Sequence, residues 1–90
     1  MPNYYLIYTF NDNLFITESA RTALIWLLDK YAPQLALKGY EDRGYPILKQ
    51  EFGKDFDIIL KGWDEKTVVG NLEKIENWFD VYIDKVEGEE

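Results

Sequence analysis

Two residue types are missing from this sequence altogether: cysteine and histidine. Without cysteine there is no disulfide and no thiolate nucleophile or metal ligand, so packing alone must hold the fold. Without histidine the commonest general base and metal ligand are gone. Serine occurs once, as Ser19 at the start of an apolar periodic stretch, with no glycine elbow around it. It reads as a helix cap and not as a nucleophile. The six glycines fall singly, at 39, 44, 53, 62, 70 and 88, so none builds a phosphate-cradling loop. The longest strictly apolar run, Ala23 to Leu28, is far too short to cross a bilayer, and Met1 to Tyr5 lacks the basic region of a signal peptide. These absences predict a cytoplasmic protein that is not an enzyme, with no catalytic residues, no metal and no cofactor.

Cations are also scarce. Ten Lys and Arg stand against seventeen Asp and Glu, a formal net charge of −7. Such a chain repels phosphate backbones and anionic lipid, which argues against direct nucleic-acid or membrane binding. The excess is concentrated: residues 1–63 hold eight acids and seven bases, residues 64–90 nine acids and three bases. What the chain has in quantity is apolar mass, 47% of residues, including three Trp, seven Tyr and five Phe. Ninety residues with that content make one domain, residues 1–87, followed by a frayed acidic tail at 88–90.

The local patterns predict an α+β fold. Tyr4 to Phe10 has the aromatic and β-branched content of a strand, Asn11-Asp12-Asn13 is turn chemistry, and Leu14 to Thr17 returns as the second arm of a hairpin. Thr17 or Ser19 caps a helix whose stripe is Ala20, Leu24, Leu27, Leu28 and Tyr31, ended by Ala32-Pro33. Gly39 to Gly44 reads as loop, and Pro46 to Phe52 fits either a helix or a strand. Phe56 to Lys61 alternates like a strand. Asp64 caps a second helix to about Phe79, buried along Val68, Leu72, Ile75 and Phe79, and Val81 to Val86 is a last strand. Two helices on one face of a small, mainly antiparallel sheet is the economical packing, with a ferredoxin-like or split β-α-β topology.

Two sets of residues point to binding. On a single second helix, Glu65, Glu73, Glu76 and Asp80 form an acidic ridge with like charges at i,i+3 and i,i+4, which a helix selected only for stability avoids. This predicts a partner-binding site for a protein with a basic surface, such as a nucleic-acid-handling one, that the chain inhibits or modulates by imitating phosphate spacing. Small phage-encoded inhibitors offer an analogy of size and charge. The second set is apolar: with Leu6 and Ile58 turned to the helices, Tyr5, Ile7 and Ile59, and with them Tyr82, face outward. That arrangement predicts a homodimer interface, or a homo-oligomeric ligand-binding or regulatory module using its open sheet face. Trp63, Tyr40 and Tyr45 are loop aromatics that serve either an interface or the core edge. Asp55-x-Asp57 carries too little information to define a cation site.

Overall fold

Residues 3–39 and 44–87 are described by a computed structural model of the chain. Tyr40, the 41–43 stretch of the predicted loop and the tail at 88–90 lie outside the described residues. The fold is α+β, built on a three-stranded antiparallel sheet of order β2-β1-β3. The central strand β1 (Asn3–Tyr8) pairs with β2 (Asn13–Thr17) on one side and β3 (Tyr82–Glu87) on the other. Because β1 opposes both neighbours, β2 and β3 run parallel with β1 between them. The helices join those two strands, so this is a split β-α-β unit, with three strands among the described residues where a ferredoxin-like sheet has four.

The hairpin turn closes with the Thr9 N–H donating to the Asp12 carbonyl at 2.9 Å. A register irregularity between Ile7 and Tyr8 sets Phe15 opposite Ile7 but Asn13 opposite Tyr8, one residue out of step. Helix α1 (Ala20–Trp26) begins at Ser19, whose extended backbone lets its Oγ accept the Thr22 N–H at 3.2 Å. The expected stop at Pro33 does not occur. The chain passes through one π turn, Leu27–Tyr31, where the Ala32 N–H reaches back five residues to the Leu27 carbonyl, and continues as α2 (Ala32–Leu37). Proline lacks an N–H and crowds the carbonyl four residues earlier. The wider turn ahead of it relieves that crowding.

Pro46 to Phe52 resolves as helix: α3 (Tyr45–Phe52) has proline in its first turn and ends at Gly53, whose φ of 82° favours glycine. Phe56 to Lys61 is a correction. It forms a helix, α4 (Phe56–Lys61), not a strand: Phe56 and Leu60 are buried one turn apart while Ile58 and Ile59 are exposed. Lys61 pairs with Asp57 across that turn at 3.3 Å and with Asp29 at 2.8 Å. The expected single helix to Phe79 is also divided, into α5 (Glu65–Gly70) and α6 (Leu72–Phe79). Between them Asn71 has φ −121° and ψ 18°, and its side chain donates to the Thr67 carbonyl at 2.8 Å. Adjacent Gly and Asn are poor helix formers, and asparagine competes for backbone bonds. Asp64 caps α5 as expected, accepting the Thr67 N–H at 2.8 Å.

The inner face of the sheet packs against α1 and α6. Ile7, Leu24, Leu27, Leu28, Leu48, Leu60, Val68, Ile75 and Phe79 form the fully buried centre. Val68, Ile75 and Phe79 are members of the expected stripe, whereas Leu72 is only partly buried. Of the loop aromatics, Trp63 packs among Phe52 and Trp78, and the Tyr45 hydroxyl donates to the Leu28 carbonyl; both close the core edge. No helix among the described residues is long and apolar enough to cross a membrane.

Candidate interaction surface

Strand alternation gives each strand an inner and an outer set, and the registers show which is which. Tyr5 and Ile7 are buried, and so is Ile83, which pairs with Ile7. These side chains point at the helices. This corrects the expected dimer surface: Tyr5 and Ile7 are core residues, and Ile59 lies on α4, away from the strands. None of the three shares an exposed sheet face with another.

The outer face carries the opposite set. Leu6 pairs with Ile16 on one side and Asp84 on the other, Tyr8 with Tyr82, and Tyr4 with Val86. Ile16 is 58% exposed and Tyr82 42%, while Tyr4, Leu6 and Tyr8, on the central strand, are half-buried. An antiparallel sheet exposed on one side normally carries polar residues there; this one carries isoleucine, leucine, valine and three tyrosines. At the hairpin end three rings gather. Tyr8 and Tyr82 stack with centroids 5.2 Å apart, and Phe10, 91% exposed, meets Tyr82 edge-on at 5.6 Å. The Tyr8 hydroxyl donates to Asp84 Oδ2 at 2.9 Å. That bond, with some burial, raises the Tyr8 phenol above its ordinary range.

Behind the rings runs a groove of about 540 Å³ between the hairpin turn and the ends of α2 and α6, lined by Phe10, Tyr82, Lys38, Glu76 and Asp80 among others. Asp80 ends α6 in the left-handed region, with φ 56°.

Of the predicted acidic ridge, Glu73, Glu76 and Asp80 stay together on α6 and at its C-terminal end, while Glu65 lies on α5, before the break at Asn71. Glu65 turns to the start of α1, where its carboxylate accepts from the Ser19 hydroxyl at 2.7 Å and the N–H groups of Ala20 and Arg21 at 2.8 and 3.0 Å. Partial burial pushes this carboxyl up, but those donors outweigh it and hold it below the usual glutamate range. Glu76 Oε2 accepts the Ile83 N–H at 2.8 Å. Both residues therefore have structural employment. Glu73 and Asp80 remain exposed. Nothing in the sequence signalled the Glu65 contact, because its donors lie more than forty residues away. The Tyr8–Tyr82–Phe10 corner with Asp84 was equally invisible, since it depends on register between distant strands.

Among the described residues no group of three or more carboxylates is placed to hold a metal ion. The chain matches no family model, and comparison with curated proteins and with solved structures finds no match.

Proposed function

We propose that this chain is a small acidic protein-interaction module that modulates a basic partner by occupying part of its surface, with the outer face of the sheet as the contact. The observation that supports this most is the row of apolar and aromatic side chains left on that face by Tyr4, Leu6, Tyr8, Ile16, Tyr82 and Val86. Contiguous apolar surface of this kind marks an interaction site more often than a bare exterior, and tyrosine is enriched in such contacts. The acids of the last third supply a negative field that speeds encounter with a basic protein, and Glu73 and Asp80 are their exposed members on α6 and at its end. With no histidine or cysteine, an effect by occupancy fits the composition better than one by catalysis, so the module is an inhibitor or modulator and not an enzyme.

The test begins with a partner recovered on the immobilised chain at low salt and then purified. Its affinity is measured for the wild type, Ile16→Lys and Glu73→Lys. Ile16→Lys should weaken binding by about tenfold or more, as expected for a charge buried in an interface, and Glu73→Lys much less. The reverse order would return the site to the helix acids.

A further inference from the structure

Among the described residues the outer sheet face has a single charged strand residue, and it lies midway along the edge strand β3. Asp84 pairs with Leu6 on the central strand, flanked by Tyr8 and Tyr82 toward the hairpin end and by Tyr4 and Val86 toward the other. No basic residue of the strands shares this face; Lys85 and Glu87 belong to the opposite alternation. The ion pairs among the described residues both involve Lys61, on α4, so Asp84 has no cation of its own there. Its Oδ2 is held by the Tyr8 hydroxyl, which fixes the carboxylate beside the stacked rings.

This combination narrows the occupant. A second copy laid face to face would add a second Asp84 carboxylate to an apolar interface with no strand cation on that face to offset either. It would also join two chains of charge −7. A purely apolar segment would bury the Asp84 charge with the Tyr8 hydroxyl as a neutral partner and no cation. An arginine meets both demands. Its planar guanidinium stacks on tyrosine or phenylalanine while its N–H groups donate to a carboxylate. The exposed Phe10 and Tyr82 offer ring surface, Asp84 offers the acceptor beside it, and Asp80 adds negative charge in the groove where Lys38 is the opposing base.

We infer that the Phe10–Tyr8–Tyr82 corner and Asp84 form a receptor for an arginine side chain presented by a basic protein segment. The inference rests on the interaction-module reading and gives its partner a recognisable chemistry.

The probe is a blocked nonapeptide of arginines separated by glycines, titrated into the isotopically labelled chain and followed by amide shifts. Two further peptides carry citrulline, which keeps the shape but not the charge, or glutamate in place of arginine. The arginine peptide should shift the amides of Tyr8, Phe10, Tyr82 and Asp84, and the other two should not. Asp84→Asn and Tyr82→Leu should each weaken binding by about tenfold, the scale of a charge-assisted bond or a well-placed cation–ring contact. Glu73→Gln removes the same charge elsewhere and should change affinity by no more than about twofold, as a distant exposed charge does. Preserved shift dispersion verifies that each variant is folded. Equal losses for Asp84→Asn and Glu73→Gln would overturn the receptor, as would equal binding of the citrulline peptide. Concentration-dependent shifts on this face without peptide would overturn it in favour of a second copy. A purified partner lost on Ile16→Lys but indifferent to Asp84→Asn would overturn the arginine assignment and leave the module standing.

Discussion

The carboxylate of Glu65 accepts the backbone N–H of Ala20 at 2.8 Å, closing the first turn of α1 from a helix forty-five residues further along the chain. The first N–H groups of a helix have no partner within it, and its N-terminus carries partial positive charge. Ser19 supplies one acceptor from its own side chain, and Glu65 takes two of the remaining donors together with the Ser19 hydroxyl. Arg21 adds to the joint, donating from its guanidinium to the carbonyls of Lys61 and Trp63 at 2.8 and 3.1 Å. Sequence charge alone makes Glu65 look like a free surface acid. It is a long-range cap.

Glu65→Ala should therefore destabilise the fold by about 1–2 kcal/mol, the usual scale for a lost cap with charge-assisted bonds after discounting for solvent screening. Glu73→Ala should stay within about half a kcal/mol, as exposed substitutions do. Denaturant unfolding followed by circular dichroism measures both, and equal midpoints would remove the capping role.

Acid should act through the same joint. The Glu65 carboxyl is lowered by its donors against the opposing effect of burial, and Asp64 is lowered by its bonds from Thr67. A lowered folded value means that the stability from these groups is present above the unfolded carboxyl pKa of about 4 and is lost as pH falls through the folded values. Tyr8 and Lys61 have the opposite sign: both are raised, by hydrogen bonds to Asp84 and Asp29 respectively, so their contribution is lost as pH rises through the folded values in the alkaline range. Midpoints measured across pH should fall at both ends, and Glu65→Gln should flatten the acid limb while leaving the alkaline one unchanged.

The helical state of Phe56–Lys61 separates two substitutions that a strand would treat alike. As a strand, Ile58 and Leu60 would share one face. As helix α4, Leu60 is fully buried and Ile58 is 73% exposed. Leu60→Ala should cost about 2–5 kcal/mol, and Ile58→Lys no more than about half a kcal/mol. Thermal unfolding of the two variants decides between the geometries.

Light scattering at low salt should return the monomer mass of 10.7 kDa, because Asp84 and the net charge oppose face-to-face pairing. Asp84→Leu removes the strand charge from a largely apolar face and should shift the mass upward with concentration. A wild type already at twice the monomer mass would contradict this and restore the homodimer, through the outer set of residues and not through Tyr5 and Ile7.

What was readable in the chain was what depends on near neighbours. Ser19 and Asp64 announce their caps because the N–H groups they accept lie three residues away. The stripe through Val68, Ile75 and Phe79 is legible because helical spacing survives the break at Asn71. The orientation of β1 was not legible: Tyr4, Leu6 and Tyr8 are as apolar as Tyr5 and Ile7, so alternation alone gives no direction. Only packing on α1 and α6 selects the inner set. Phe56, Ile58 and Leu60 mislead for a related reason, since in six residues Phe56 and Leu60 satisfy both a two-residue and a one-turn repeat. Of the acidic ridge only Glu65 is misread, because its carboxylate is taken by the Ser19 hydroxyl and the N–H groups of Ala20 and Arg21, partners that no helical wheel contains.

Glu76 bears on how the sheet ends. By taking the Ile83 N–H, its carboxylate occupies a donor near the start of β3 that would otherwise be open to the backbone of an incoming strand. A neighbour seeking to add itself rung by rung meets a negatively charged stopper there, while the flat of the sheet stays open to side chains. At that rung the edge of β3 has no free donor for another backbone, whereas the broad side of the sheet meets its surroundings through side chains alone.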